Sequence, residues 1–557
     1  MGILRVFNGI GGRAATGRWA DRGTSGTRAR PPDGRSSRRR RRPWLEPLED
    51  RIALSTITVN TLLDETNPHD GHTSLREAIQ RANSHPGADR IDFRAGLEGT
   101  INLDPTLGEL LITDNLTIDG PGASVISVSG QKNSRVFEVA AGTTVTISGL
   151  TIENGLIAGD GGGILNEGTL TVSGDTLSGN HARGGAGGAI ANSGTLTVTD
   201  GSTLSGNGGG IYNTGAATIR GSTLSGNDGV DHGGAIDNSG TLTVTDGSTL
   251  SGNASDRAGG IVNSGTATVT GGSTLSGNFG WFGGGIVNTG KLTVAGSTIS
   301  GNKAYWGGGI ANTGAATIRG STLSGNSADF LGGAIINSGT LTVTGGSTLS
   351  GNFAREDGGA IENKSGATLN VTDGSTISGN KALSGTGGGI DNLGTATVTG
   401  GSKLSNNSAS RSDHSEPGDG DGGATANRGT LTVTGGSTLS GNSASGDGGA
   451  IDNESGATLN VTDGSTISGN TAADGGGIDN LGTATVTGTT IRGNTASGFG
   501  GGIDDNGGSL TITASTFTGN SAPDTDGGAI LVRNRGVLVQ KRGNTFNGNI
   551  GGDIVFM

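Results

Sequence analysis

The sequence predicts an all-β solenoid, a right-handed parallel β-helix of roughly 15–18 coils with one short capping helix at its N-terminal end. Three observations point there. A glycine-rich mark, usually Gly-Gly-Ala or Gly-Gly-Gly, is followed by Ile at Ile164, Ile190, Ile211, Ile236, Ile261, Ile286, Ile310, Ile335, Ile361, Ile390, Ile451, Ile478, Ile503 and Ile530, with Thr425 once in the Ile place, fifteen marks in all. Each unit, as in GGAIDNSGTLTVTDGSTLSGN from Gly233 to Asn253, holds three short stretches of alternating apolar and polar residues bounded by turn formers. No unit is thick enough to bury its own apolar face, so it must stack on copies of itself. Parallel strands joined by a crossover are nearly always right-handed, which sets the expected hand.

The marks lie 24 to 27 residues apart, except for intervals of 21 (Ile190 to Ile211), 29 (Ile361 to Ile390) and 35 (Ile390 to Thr425). The longest interval holds an insertion that belongs on a corner. Inside a turn, Ile236, Leu242, Val244 and Leu250 are the expected core residues. Asn stands two residues after the mark in thirteen of fifteen copies, with Asp505 and Val532 in the last two. Stacked in register, these Asn and those of the Ser-Gly-Asn corners would form amide ladders along the axis; the plainer alternative is that they tolerate left-handed corners.

Composition narrows the field. Glycine makes up 116 of 557 residues, yet the strict spacing of Ile, Leu and Val argues against a disordered linker, and 10 Pro without a Gly-x-y period exclude collagen. With no Cys, disulfides and thiolate chemistry are ruled out. Thirteen Arg against five acids give residues 1–52 a charge of +8, so the remainder carries −20 of the net −12. An object that acidic is not expected to bind nucleic acid. No run of about 18 apolar residues is present, so no transmembrane helix is expected.

Taken in order, residues 1–52 read as a basic, disordered, export- or targeting-like segment with the run Arg38–Arg42; a nucleic-acid tail is the alternative. Residues 53–95 read as an N-terminal cap of a strand, Ile57–Asn60, and a helix. Ser74-Leu75-Arg76-Glu77 has capping-box spacing, and Leu75, Ala78, Ile79 and Ala82 form one apolar stripe. The cap protects strand edges that would otherwise pair with another molecule. Residues 96–160 read as irregular first coils, 161–549 as the regular repeats and 550–557 as the end, plugged by Ile554, Val555 and Phe556.

Several of these stretches resemble known families. TSLREAIQRAN, Thr73 to Asn83, resembles the CSLREA domain of bacterial β-helix proteins, with Thr73 in place of the leading Cys. Leu116–Gly122, Arg135–Val139 and Gly149–Gly155 fit the early coils of the same family. The GGAI and SGN units are similar to the repeats of polymorphic outer membrane proteins, which are adhesin-like. Arg38 to Ser55, with Leu45-Glu46-Pro47-Leu48-Glu49-Asp50-Arg51, resembles the LEPR-XLL N-terminal segment of bacterial surface and exported proteins. Together these resemblances imply a pectin-lyase-like fold and an extracellular or cell-surface location.

Three groups of residues are candidates for chemistry. Trp281, Tyr305 and Phe330 occupy one corner column and Phe282, Trp306 and Leu331 the next, in a chain with 3% aromatics. The rings either shield bare glycine corners or form an apolar strip for a glycan or a cell-surface protein. Asp452, Asp479 and Asp504 follow the Ile in three successive turns. The expectation is a solvated acidic strip, with calcium between the carboxylates the alternative. The insertion Ser408–Gly423 carries Asp413, Glu416, Asp419 and Asp421, and reads as a corner loop that only loosely resembles a calcium loop.

Enzymes of the fold need clustered carboxylates beside Arg or Lys on one face. The acids here read as scattered over corner loops, the pair Asp504-Asp505 has no basic partner on a neighbouring turn, and six His are dispersed without HExxH or a triad. No catalytic residue, metal or cofactor is therefore assigned. The expected function is that of an exported or cell-surface structural, adhesin-like protein binding partners or glycans along its side. The alternative is a polysaccharide-degrading, pectin-lyase-like enzyme.

Overall fold

Three ladders of parallel strands, one of 19 strands and two of 18, follow directly from the three stretches of each unit. The computed structural model describes residues 55–230, 232–411 and 420–557, and they form a parallel β-helix of about 18 turns. The basic segment with its LEPR-like stretch up to residue 54, and Asp413, Glu416 and Asp419, lie outside the described residues.

Register is strict. Leu242 and Val244 stand over Ala267 and Val269 in the first ladder, Leu250 over Leu275 in the second, and Ile236 over Ile261 in the third. The period-2 alternation sends these side chains inward, so one continuous core runs along the axis. All fourteen marker Ile, and Thr425, are at most 1% exposed.

Two asparagine ladders run beside the core. Asn166 donates from Nδ2 to Asn192 Oδ1 at 2.6 Å, and the pattern repeats turn by turn until Asn480 donates to Asp505 Oδ1 at 2.7 Å. The second ladder runs through the Ser-Gly-Asn corners, from Asn180 to Asn549. In it each amide satisfies itself fully: Asn326, for example, donates to Asn352 Oδ1 and Ile299 O and accepts from Asn302. Neither Asp, which lacks the donors, nor Leu could do this in a dry site.

The structure adds a fourth, shorter ladder that the three-stretch reading did not contain. It comprises eleven strands from Asp228–Gly229 to Thr495–Ala496, and a separate pair, Leu156–Ala158 with His181–Arg183. Alanines such as Ala304, Ala328 and Ala354 bury their methyl groups in it. The 21-residue interval explains the gap between the two pieces. That turn omits the fourth strand and leaves only the single bridge His181 to Gly208.

The one α-helix, α1 (Leu75–Ser84), begins in a complete capping box: Ser74 Oγ accepts from the Glu77 N–H at 3.1 Å, and Glu77 Oε2 accepts from the Ser74 N–H at 3.0 Å. Its stripe of Leu75, Ala78, Ile79 and Ala82 joins the main core. Arg76 ties it down, donating to both Asp64 oxygens at 2.8 Å and to Gly108 O at 2.7 Å. At the other end Ile554 packs on the core, but Phe556 is 69% exposed. The expected plug is therefore incomplete: Phe556 stands over the core residue Val532, on the same face as Ile554, but nothing among the described residues stacks on it.

Candidate functional site: a roofed seam along one side

The residue after each marker Ile points away from the core, yet many are buried. The cause is the glycine mark. Its first Gly adopts φ of +62° at Gly283, +66° at Gly307 and +67° at Gly332. A Cβ at those positions would stand 2.2, 2.5 and 2.4 Å from the carbonyl oxygen of the following Ile. Only glycine lets the corner fold back so closely. The residue just before it thus becomes a roof over the residue just after the Ile. Stacked turns make these roof and floor positions into a lateral seam.

The chemistry of roof and floor matches turn by turn. His232 roofs Asp237, with Nδ1 2.7 Å from Oδ2. Phe282, Trp306 and Leu331 roof Val287, Ala311 and Ile336, which with Val262 and Ala258 form a satellite apolar cluster. Thr386 donates from Oγ1 to its floor, Asp391, at 3.3 Å. From there on both columns are largely acidic: Asp447 with Asp452, and Asp474 with Asp479.

In the aromatic stretch the rings stack within the predicted columns and also across them, at Trp306 and Phe330. Phe282 and Trp306 lie 5.1 Å apart at 17°, Trp306 and Phe330 5.3 Å apart at 22°, and Tyr305 and Phe330 6.1 Å apart at 26°. Trp281 meets Tyr305 edge-on at 5.9 Å. Trp281 is 50% exposed and Tyr305 36%. Beside the roof runs a groove of about 420 Å³ lined by Phe282, Trp306, Ala311, Leu331 and Ile336, with Thr313, Ser338 and Lys364 at its polar rim. Ala311 is the small floor residue beneath it.

The acidic stretch corrects the expectation of a solvated strip. Asp452, Asp479 and Asp504 do stand in register, but their exposures are 2%, 0% and 0%. The roofing corners exclude the water that the strip reading assumed. Burial, reinforced by neighbouring acids, pushes Asp452 and Asp479 well above the usual carboxylate range. Asp504 is also raised by burial, against the pull of Arg533. Asp421 is half roof, half wall: burial raises it to about 7, and its Oδ1 accepts from the Asp447 N–H at 2.7 Å.

Basic partners also recur, contrary to the sequence reading. Arg533 donates to Asp504 Oδ2 at 2.6 Å and to Asp474 Oδ2 at 3.0 Å, and lies 4.6 Å from the Phe499 ring centroid. Arg428 donates to Asp391 Oδ1 at 2.7 Å and to Thr386 Oγ1 at 2.6 Å, and Lys364 Nζ is 2.9 Å from Glu362 Oε1. Asp357, Glu362 and Asp391 bring ligand oxygens within 4.8 Å of one another. Sequence reading missed this cluster. Its signal was an acid one residue after the Ile and an Arg three residues after the next mark, a spacing found both at Asp391 with Arg428 and at Asp504 with Arg533.

A second concavity, of about 840 Å³, fills the place of the missing fourth strand; its lining includes Lys132, His181, Arg183, Asp228 and His232. No helix among the described residues is long and apolar enough to cross a membrane.

The Chlamydia polymorphic membrane protein repeat model matches residues 436–454 and 514–533, each running from a Ser-Thr corner strand into a glycine mark. The chain is a parallel β-helix repeat protein. Among solved structures it is similar to the A-module of the mannuronan C-5 epimerase AlgE6 of Azotobacter vinelandii, at 14% identity over 87% of this chain and 94% of that one, with a TM-score of 0.24, too low a likeness to bear on function. No curated protein matches the chain.

Proposed function

We propose that this β-helix acts at the cell surface as an adhesin-like protein, holding a glycan on the aromatic stretch of its seam. The observation that carries the reading is the unbroken strip Trp281, Phe282, Tyr305, Trp306 and Phe330. Aromatics this rare in the chain are gathered on three adjacent corners, their rings half in water. A sugar ring offers an apolar face for such rings and hydroxyls for Thr313, Ser338 and Lys364 at the groove rim. The match to polymorphic membrane protein repeats supports a surface location.

The two aromatic columns divide the work. Phe282 and Trp306 roof the apolar floor, so their loss would disturb packing. Trp281 and Tyr305, 50% and 36% exposed, belong to the column that roofs no floor residue and are the residues offered to a ligand. The test is a glycan array probed with the full chain and with Trp281→Ala/Tyr305→Ala. The reading expects saturable glycan binding that the double variant loses while its far-UV CD remains β-type. Equal binding by both proteins would remove it.

The enzyme reading gains one observation, the Asp357, Glu362 and Asp391 cluster beside Arg428. Two of its carboxylates, Glu362 and Asp391, are at most 1% exposed beneath their roofs, which leaves little for a polymer to touch. Depolymerisation of a polyuronate by the full chain, lost in Asp357→Asn, would establish it.

A further inference from the structure

Three acids and two bases meet in the middle of the seam, and their charges do not balance. Glu362 follows one marker Ile and Asp391 the next, in register, and both are at most 1% exposed. Lys364 Nζ lies 2.9 Å from Glu362 Oε1, and Arg428 donates to Asp391 Oδ1 at 2.7 Å. The third acid is the roof residue Asp357, whose Oδ1 accepts from the Thr386 N–H at 2.8 Å and whose Oδ2 lies 3.9 Å from Arg428. The next floor residues along the axis, Ile336 before Glu362 and Ala426 after Asp391, bring no charge. Each buried carboxyl group thus has one oxygen held by a base and one without a partner, Glu362 Oε2 and Asp391 Oδ2. The two groups face each other within hydrogen-bond reach. Two ionised carboxylates there would repel, and neither could donate to the other.

One proton removes the conflict. Placed on Glu362 Oε2, it makes a donor to Asp391 Oδ2, satisfies both orphaned oxygens and brings the five groups to neutrality. We propose that Glu362 and Asp391 share a proton, and that this carboxyl–carboxylate bond is a clamp between successive turns that opens as the surroundings turn alkaline. Lys364, Glu362, Asp391 and Arg428 then form one chain across the 35-residue interval. The pattern occurs twice. Asp479 and Asp504 are also stacked floor residues, both 0% exposed. Arg533 holds Asp504 Oδ2 and leaves Oδ1 unpartnered, beside an Asp479 with neither oxygen partnered. Asp452 lies below this pair and Leu531 above it, with Asp447, Asp474 and Arg533 at its side. The surplus of acid there favours the proton further. Burial and the facing acids push Glu362 and Asp479 well above the usual carboxylate range, which fits both as the protonated partners. The clamps are independent of the aromatic strip and of any glycan.

The test follows amide hydrogen exchange of the full chain from about pH 5 to about pH 9, corrected for the intrinsic rate. A carboxyl raised above its unfolded value, about 4.3 for Glu, stabilises the closed turns at low pH and loses that effect as pH rises to its folded value. Opening then releases one proton, so protection falls about tenfold per pH unit more than in a chain without the shared proton. Glu362→Gln sets a permanent N–H donor opposite Asp391 and an oxygen opposite Lys364. It should keep wild-type protection at about pH 5 and lose the extra tenfold slope at Ile361–Asn363 and Ile390–Asn392. Asp479→Asn should do the same at Ile478–Asn480 and Ile503–Asn506, and serves should the first variant fail to fold. The infrared spectrum of the wild type minus Glu362→Gln, taken at about pH 6, should carry the C=O band of a protonated carboxyl, although free Glu is ionised there. Equal slopes in wild type and variants, or a carboxylate band in that difference spectrum, would overturn the proposal.

Discussion

Replacing Asn326 by Ala removes one rung from the middle of the second amide ladder, and the cost can be read from its bonds. Asn326 Nδ2 donates to Ile299 O at 2.9 Å and to Asn352 Oδ1 at 3.0 Å, while Oδ1 accepts from the Asn302 backbone N–H at 3.1 Å and side chain at 3.0 Å. Three of the four partners keep another bond in the variant. Asn352 Oδ1 still accepts from the residue 326 N–H, Asn302 Nδ2 still donates to Leu275 O, and the Ile299 carbonyl keeps its place in the strand ladder. Only the Asn302 N–H is left dry and unpaired. Such an orphan costs about 1–3 kcal/mol, and the small void adds about 1 kcal/mol. The expected loss is therefore about 2–4 kcal/mol. In a solenoid this loss stays near the lesion, since each turn contacts only its neighbours. Hydrogen exchange is the right assay. Amides in the turns flanking residue 326 should exchange at least about 25-fold faster, since 1.4 kcal/mol is a factor of ten. Asn549→Ala, at the ladder's wet end, should change little. A change below about fivefold around residue 326 would refute the claim that the ladders, and not the aliphatic core alone, hold the turns together.

Other outcomes follow from the same geometry. Asp175 is 1% exposed, and burial raises it to about 7 although the Leu150 and Ser173 N–H groups bond its oxygens. A carboxyl raised above its unfolded value stabilises the fold at low pH, and the benefit is lost as pH rises from about 4 through 7, on the order of 2–4 kcal/mol in all. Asp175→Ser, which places the residue found at the equivalent corners Ser202 and Ser248, should flatten the Tm-versus-pH curve over that range and raise Tm at pH 8; an unchanged slope would contradict the assignment. Gly332→Ala forces a Cβ to within 2.4 Å of Ile335 O at a φ of +67°, and should cost more than about 2 kcal/mol in urea unfolding. Gly351→Ala, at a φ of +61° with nothing within 4 Å of its Cβ, should cost about 1 kcal/mol. Equal costs would show that roofing does not depend on the glycine mark.

The repeat made most of this architecture legible. Period, register, inward aliphatics, the capping box at Ser74 and the aromatic columns all follow from spacing, because a solenoid converts distance along the chain into position on a face. The roofs were not legible. Asp452, Asp479 and Asp504 were placed correctly in register, but spacing cannot tell that a corner with φ near +60° folds back over the residue after the Ile. Arg428 and Arg533 were missed for a related reason: each serves an acid on the turn before its own, so neither stands near its partner in sequence. The fourth ladder escaped because its strands are mostly two residues long, too short to alternate. Its gap falls at the 21-residue turn, the shortest interval between marks.

The location of ligand binding is open to one direct measurement. The chain's four Trp are Trp19, Trp44, Trp281 and Trp306. A full-length Trp19→Phe/Trp44→Phe variant therefore reports from the aromatic strip alone. Titrated with a glycan that the wild type binds, its emission should shift and saturate along the binding isotherm. Full binding with unchanged emission would put the ligand on another face and contradict the account.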